Sequence, residues 1–145
     1  MSKVWFITGA GTGIAKATLR AGDRVVTTGR NLDKVRGAYR DVASGNIAFV
    51  RLDVSNEAQA KAAGEETVNQ FGRIDVGLNN GGYSLLGNFE EMTTAEIERQ
   101  FATNFYGVMY VMRAAMNQHF DRLQLPKDYH RLVAGDEAVG DEAVS

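Results

Sequence analysis

Cysteine is absent from this chain and proline occurs once, at Pro126. A disulfide, a thiolate nucleophile and a cysteine-bound zinc or iron–sulfur site are therefore excluded. Nothing here calls for an oxidising compartment, so the cytoplasm is the expected location. Neither sign of charge predominates: 16 Lys and Arg face 18 Asp and Glu, for a net charge of -2. No uniform basic field exists to hold nucleic acid or an anionic membrane, and neither is an expected partner. Long apolar runs are missing as well. The first, Val4 to Ile7, stops at Thr8 and Gly9, too soon for a secretion signal or a membrane span. The two histidines, His119 and His130, lack carboxylate or cysteine neighbours at ligand spacing, so no metal site is expected.

What is present is ordinary globular material: 145 residues, 44% hydrophobic and 23% charged, enough for one domain with one core. Val4 to Thr8 is a β-branched and aromatic strand that ends at a glycine cluster, and an Ala-rich helix follows from Ile14 to Ala21, stopping at Gly22. Next come a strand over Arg24 to Thr28, a polar helix over Leu32 to Val42, a strand over Ile47 to Leu52, and an Ala-rich helix opened by Ser55. That helix stops at Phe71-Gly72, before a fourth strand over Ile74 to Asn79. Four strands alternating with three helices imply right-handed parallel βαβ units.

A longer helix spans Thr93 to about Phe120. Thr93 and Glu96 have capping-box spacing, and Ile97, Phe101, Phe105, Val108, Met112 and Met116 recur in steps of three or four. One face must be buried, against the sheet or against a second subunit; the pattern does not separate the two. Gly64 and Gly77 interrupt the third helix and fourth strand, each at about 0.5–1 kcal/mol relative to alanine, which predicts marginal stability. Beyond Pro126 the character changes, and Gly135–Val139 is repeated as Gly140–Val144. The expected organisation is a domain over residues 1–120 and a partly disordered tail over 121–145.

Gly9, Gly11, Thr12, Gly13 and Ile14 lie between the first strand and first helix. Glycines there let the backbone turn sharply and let a pyrophosphate approach amide N–H groups at the helix N-terminus. A dinucleotide site usually carries an acid about twenty residues later, on the ribose 2′-hydroxyl. Here Gly29 and Arg30 stand at those positions. A guanidinium can grip a 2′-phosphate with two parallel bonds, which favours NADP over NAD; the plainer alternative is an arginine that covers a loop.

Together these residues resemble the short-chain dehydrogenase/reductase family. TGAGTGI at 8–14 is similar to its glycine loop, Asp53-Val54 to its adenine-contacting pair, and Asn79-Asn80-Gly81-Gly82 to the element after its fourth strand. Asn104 matches its helical asparagine, which in the family helps hold a water in the proton relay. The likeness covers about residues 1–120. It implies an α/β, three-layer, Rossmann-like fold: a mainly parallel sheet of about four strands, order 3-2-1-4, with a long C-terminal helix. It also implies Gly9, Gly11, Thr12, Gly13, Ile14, Arg30, Asp53, Val54, Asn79, Asn80 and Gly81 as cofactor contacts and Asn104 as a catalytic residue.

The family's chemistry also needs a serine on a fifth strand and a Tyr-xxx-Lys on the next helix. Four residues beyond Tyr39, Tyr83, Tyr106, Tyr110 and Tyr129 stand Ala43, Gly87, Tyr110, Ala114 and Val133. No tyrosine here has that lysine, and without a cation beside it a tyrosine keeps its ordinary pKa of about 10. Arg131–Val139 resembles the C-terminal segment of some family members, as though a middle had been removed. Ala15 stands where the third glycine belongs, by substitution or by a shortened helix. Loss of the fifth strand predicts an exposed apolar edge on the fourth.

The leading expectation is an NADP-binding oxidoreductase remnant, whose family reaction moves hydride between NADP(H) and a carbonyl or hydroxyl group, with its own turnover in doubt. The alternatives are a noncatalytic module that associates through the long helix, as a homo-oligomer or with a full-length relative, and a nonfunctional truncated product. Tyr106 and Tyr110 are expected to pack together on the helix. Tyr83 and Ser84 face the pocket mouth or make loop hydrogen bonds.

Overall fold

A computed structural model describes residues 1–9, 11–42 and 45–123. The strands are β1 Val4–Ile7, β2 Arg24–Gly29, β3 Ile47–Arg51 and β4 Val76–Leu78. The helices are α1 Thr12–Arg20, α2 Leu32–Gly37, α3 Glu57–Phe71, α4 Thr94–Phe101 and α5 Gly107–Leu123. All strand pairs are parallel, in the order β3-β2-β1-β4. This is the three-layer, Rossmann-like arrangement that the alternation implies. β1 reads as a continuous apolar run and β2 buries Val25, Val26, Thr27 and Thr28, because helices cover both faces.

One layer packs α3 and α5 on the sheet through Phe6, Val26, Leu52, Ala60, Ala63, Val111 and Ala114. The other packs α1 and α2 through Ile7, Ala15, Val25, Val35 and Tyr39. Ala15 is thus a core residue, and a side chain larger than hydrogen fits there.

Local signals place most helix ends. Asn31 caps α2 by accepting from the Lys34 N–H. Gly72, at φ 82°, closes α3 in the left-handed region open to glycine. Thr93 and Glu96 form the capping box that their spacing predicts. At the start of α3 the expectation fails: Asn56, not Ser55, accepts from the Gln59 N–H. Ser55 instead donates from both N–H and Oγ to Asp53 Oδ1, which leaves it no part in the cap. The helix expected to reach Val42 ends at Gly37, and the fourth strand shrinks to Val76–Leu78.

The long helix carries the larger correction. Between α4 and α5 it widens to a π turn over Ala102–Tyr106, with the Gly107 N–H donating to the Ala102 carbonyl. A wider turn shifts the phase of everything after it, and the stripe drawn at steps of three and four is not the side that packs on the sheet. Phe101, Phe105, Met112 and Met116 are 50–59% exposed rather than buried. The inward line of α5 is Gly107, Val111 and Ala114, small residues that bring it close to α3.

That approach also gives Gly64 a tertiary neighbour. A Cβ there would lie 3.4 Å from the Ala114 carbonyl oxygen and 3.5 Å from its Cβ, so the glycine sits where α3 and α5 meet. A Cβ on Gly77 of β4 would lie 3.8 Å from the Ala115 Cβ of α5. Outside this contact, Arg113 of α5 pairs with Glu57 of α3 at the surface. The expectations for Arg131–Val139, His130 and the repeated block after Gly135 lie outside the described residues.

Candidate functional site

The carboxyl ends of all four parallel strands open on one edge of the sheet. Thr8 organises its centre. Its N–H and Oγ1 both donate to the Leu78 carbonyl, at 3.0 and 3.4 Å, joining the end of β1 to β4. The same Oγ1 accepts from the N–H groups of Asn80, 3.0 Å away, and Gly81, 3.1 Å away. A single buried hydroxyl therefore ties the loop after β4 to the loop after β1.

Glycine is required where these loops meet. Gly9 has φ 70°, and a Cβ on it would stand 2.9 Å from the Asn80 carbonyl oxygen. A Cβ on Gly11 would stand 2.8 Å from Asn80 Nδ2. Gly13 differs: nothing lies within 4 Å of the position its Cβ would take. It is exposed on the first turn of α1, a helix that begins with no side-chain cap and no acidic residue in that turn. Helix N–H groups in such a turn attract anions. Thr12 is half-buried beside it and Ile14 is 44% exposed.

Arg30 follows β2 directly and is exposed, and no carboxylate lies within ion-pair distance of it among the described residues. Gly29, where an acid commonly stands, has no room for a side chain: its Cβ would meet Val35 Cγ2 at 2.5 Å. Asp53 leaves β3 with Oδ1 taken by Ser55 and its N–H donated to Gln59 Oε1 at 2.9 Å. Val54 reaches inward instead. A Cβ on Gly81 would lie 3.4 Å from Val54 Cγ1, and one on Gly107 would lie 2.9 Å from Val54 Cγ2. Asn79 is exposed at the end of β4.

Asn104 stands in the π turn, and its amide bonds both backbone groups of Tyr83. It holds the loop after β4 in place from the helix side. The structure thus gathers Gly9, Gly11, Val54, Asn80, Gly81 and, through Tyr83, Asn104 around one crevice. Arg30 and Asp53 stand at neighbouring strand ends. Thr8, Gly107 and Arg51 share this edge but were not singled out from the sequence. Thr8 opens the glycine motif, whereas Gly107 and Arg51 carried no local signal. Tyr106 and Tyr110 stack at 6.4 Å, as packing partners do.

A parallel sheet with its glycine turn and open helix N-terminus at the β1–β4 switch point defines a fold of the Rossmann class, in which ligands bind at that edge. The profile of the short chain dehydrogenase family matches residues 3–124, and the chain belongs to that family. It is 34% identical over 120 residues to oxidoreductase BOA17 of Botryotinia fuckeliana, covering 80% of this chain and 44% of that protein. To oxidoreductase calM of Penicillium decumbens it is 35% identical over 120 residues, covering 77% and 39%. Among solved structures, a short-chain dehydrogenase from Streptomyces avermitilis superposes with TM-score 0.75 at 29% identity, over 84% of this chain and 46% of that one. ElxO with NADP bound superposes with TM-score 0.75 at 31% identity, over 86% and 53%. The chain therefore spans about half the length of these proteins or less. No helix among the described residues is long and apolar enough to cross a membrane, and no group of three or more His, Cys, Asp or Glu side chains there could hold a metal ion.

Proposed function

We propose that this chain is the dinucleotide-binding part of a cytoplasmic oxidoreductase and takes NADP(H) in preference to NAD(H). The observation that carries the preference is the pair Gly29–Arg30. Val35 closes position 29 to any side chain, and Arg30 offers an exposed guanidinium with no partner among the described residues. A 2′-phosphate meets a cation there rather than a carboxylate.

The rest of the edge fits the same ligand. Gly13 leaves open space where a pyrophosphate would lie against α1, and Gly9, Gly11 and Gly81 keep the floor free of side chains. Asp53 and Val54 would border the adenine, and Asn79 and Asn80 the middle of the cofactor. The ElxO structures, with NADP or NADPH bound, support this reading. The nicotinamide supplies or accepts the hydride, and the reaction class is hydride exchange with a carbonyl or hydroxyl substrate. This chain's own residues bind and orient, because no tyrosine here has a lysine four residues on; we expect residues 1–145 alone to bind cofactor without turnover.

Calorimetric titration with NADPH and NADH tests the proposal. Saturable binding that favours NADPH, and loss of that preference in Arg30→Asp, are the expected results. Equal affinities before and after the substitution overturn the assignment. Limited proteolysis tests the division into a domain over 1–120 and a tail over 121–145: a resistant fragment ending near 120 is expected.

A second reading rests on the outward face of the long helix. Phe101, Phe105, Met109, Met112 and Met116 are 45–59% exposed. Such a face fits association, with a second copy or with a full-length relative. Cross-linking through positions 109, 112 and 116 is expected; a strictly monomeric species with no contact there removes this reading.

A further inference from the structure

We infer that Arg51 is a second phosphate-selecting residue beside Arg30, so that two guanidiniums from adjacent strand ends flank the 2′-phosphate. This inference rests on the NADP reading above and adds a residue to it. The β2–β3 ladder pairs Arg51 with Gly29 in parallel register, and the Leu52 N–H donates to the Gly29 carbonyl at 3.1 Å. Paired strands lie about 4.8 Å apart, so Arg30, one residue past Gly29, leaves the sheet next to Arg51.

Both side chains are exposed, and neither has an ion-pair partner among the described residues. Three other cations of this half of the sheet are engaged: Lys16 binds Asp41, Arg36 lies over the Phe49 ring and Arg24 over the Phe71 ring. Neither nearby acid forms an ion pair with Arg51. Asp53 turns Oδ1 to Ser55, and Glu66 accepts from Gln70.

Alternation along β3 sets Arg51 on the face of Phe49, whose ring meets Tyr39 of α2 at 5.7 Å. That is the face on which Val35 of α2 closes Gly29. The surrounding charge is also one-sided, since residues 1–51 hold nine Lys and Arg against three Asp. A doubly charged phosphate placed beside Arg30 therefore meets a second unpaired cation, and a plain ribose hydroxyl gains little from it.

The test uses 2′,5′-ADP and 5′-AMP, which differ by the 2′-phosphate alone, titrated calorimetrically into the full chain and its variants. The unaltered chain is expected to prefer 2′,5′-ADP. Arg51→Gln is expected to reduce that preference about tenfold, equivalent to about 1.4 kcal/mol, with affinity for 5′-AMP unchanged. Arg51→Lys is expected to keep part of the preference, because charge remains while the fork is lost. An unchanged preference in Arg51→Gln, with collapse in Arg30→Gln, overturns the role of Arg51 and leaves the NADP reading standing. An equal loss for both ligands also overturns it, because the residue would then serve the fold or the adenosine. No preference in the unaltered chain removes the NADP reading and this inference together.

Discussion

Asn104 holds Tyr83 at both backbone groups: its Oδ1 accepts from the Tyr83 N–H at 3.1 Å, and its Nδ2 donates to the Tyr83 carbonyl at 2.6 Å. The pair is 21 residues apart in sequence, and it fastens the loop after β4 to the π turn. Space is tight around it, since a Cβ on Gly82 would lie 3.1 Å from Asn104 Oδ1. The asparagine thereby fixes the backbone of the loop after β4.

Replacement of Asn104 by alanine should free this loop with a small effect on the fold. Two partly exposed hydrogen bonds are lost, for about 1–2 kcal/mol in total. Hydrogen exchange at the Tyr83 amide should accelerate while amides of β1 and β2 keep their protection. Unchanged exchange at Tyr83 would show that the loop is held by other contacts.

Thr8→Val should cost more than its size suggests. The hydroxyl is buried and accepts from two backbone N–H groups, and valine of similar shape leaves both without it. A loss of about 2 kcal/mol is expected in urea unfolding, with most of it recovered in Thr8→Ser. A valine variant as stable as the parent would refute the role given to this hydroxyl.

Two glycines on the α3–α5 side should respond in opposite directions. Gly64→Ala meets Ala114 at 3.4–3.6 Å, ordinary contact, so the gain in helix propensity should stabilise by about 0.5–1 kcal/mol. Gly107→Ala meets Val54 Cγ2 at 2.9 Å and the Val54 carbonyl oxygen at 3.1 Å, and should destabilise by about 1–3 kcal/mol. Thermal unfolding of the two variants distinguishes them. Val54→Ala should recover part of the second loss, because it removes the Cγ2 contact.

Stability should fall in acid partly through Asp23. Its carboxyl is held below its ordinary value of 3.8 by the Lys3 N–H first and then by the Trp5 indole. A depressed folded pKa gives stability that is full above the unfolded value and lost as the pH falls through the folded one. Urea midpoints of the parent and Asp23→Ala should therefore differ above about pH 4 and converge below it. A constant difference down to pH 2 would exclude the carboxylate as the cause.

Much of the fold was legible in the sequence. Val4–Ile7, Arg24–Gly29 and Ile47–Arg51 are β-rich runs bounded by glycine or polar residues, and strict alternation with helices dictates parallel pairing. Residues whose role depends on their own backbone were legible too. Gly9 must reach φ 70°, and the Thr93–Glu96 box closes within one turn.

What remained hidden depends on contacts between segments far apart in the chain. The apolar period of the long helix left open whether Phe101, Phe105, Met112 and Met116 meet the sheet or a second subunit, and the structure, with a π turn over Ala102–Tyr106, sets Gly107, Val111 and Ala114 inward instead. That Gly64 lies against Ala114, with room for a methyl group, is visible only once α5 crosses α3. Arg51 is one arginine among many until the ladder register sets it opposite Gly29.

By itself, then, the sequence determined the order of elements, the handedness of their connections and the glycine turn at the first helix, because backbone sterics and short-range hydrogen bonds decide these within a few residues. Only the tertiary structure decided which helix face is covered, which glycines admit a neighbour, and which cations share an edge. Those follow from where distant surfaces come into van der Waals contact, and no local period encodes that distance.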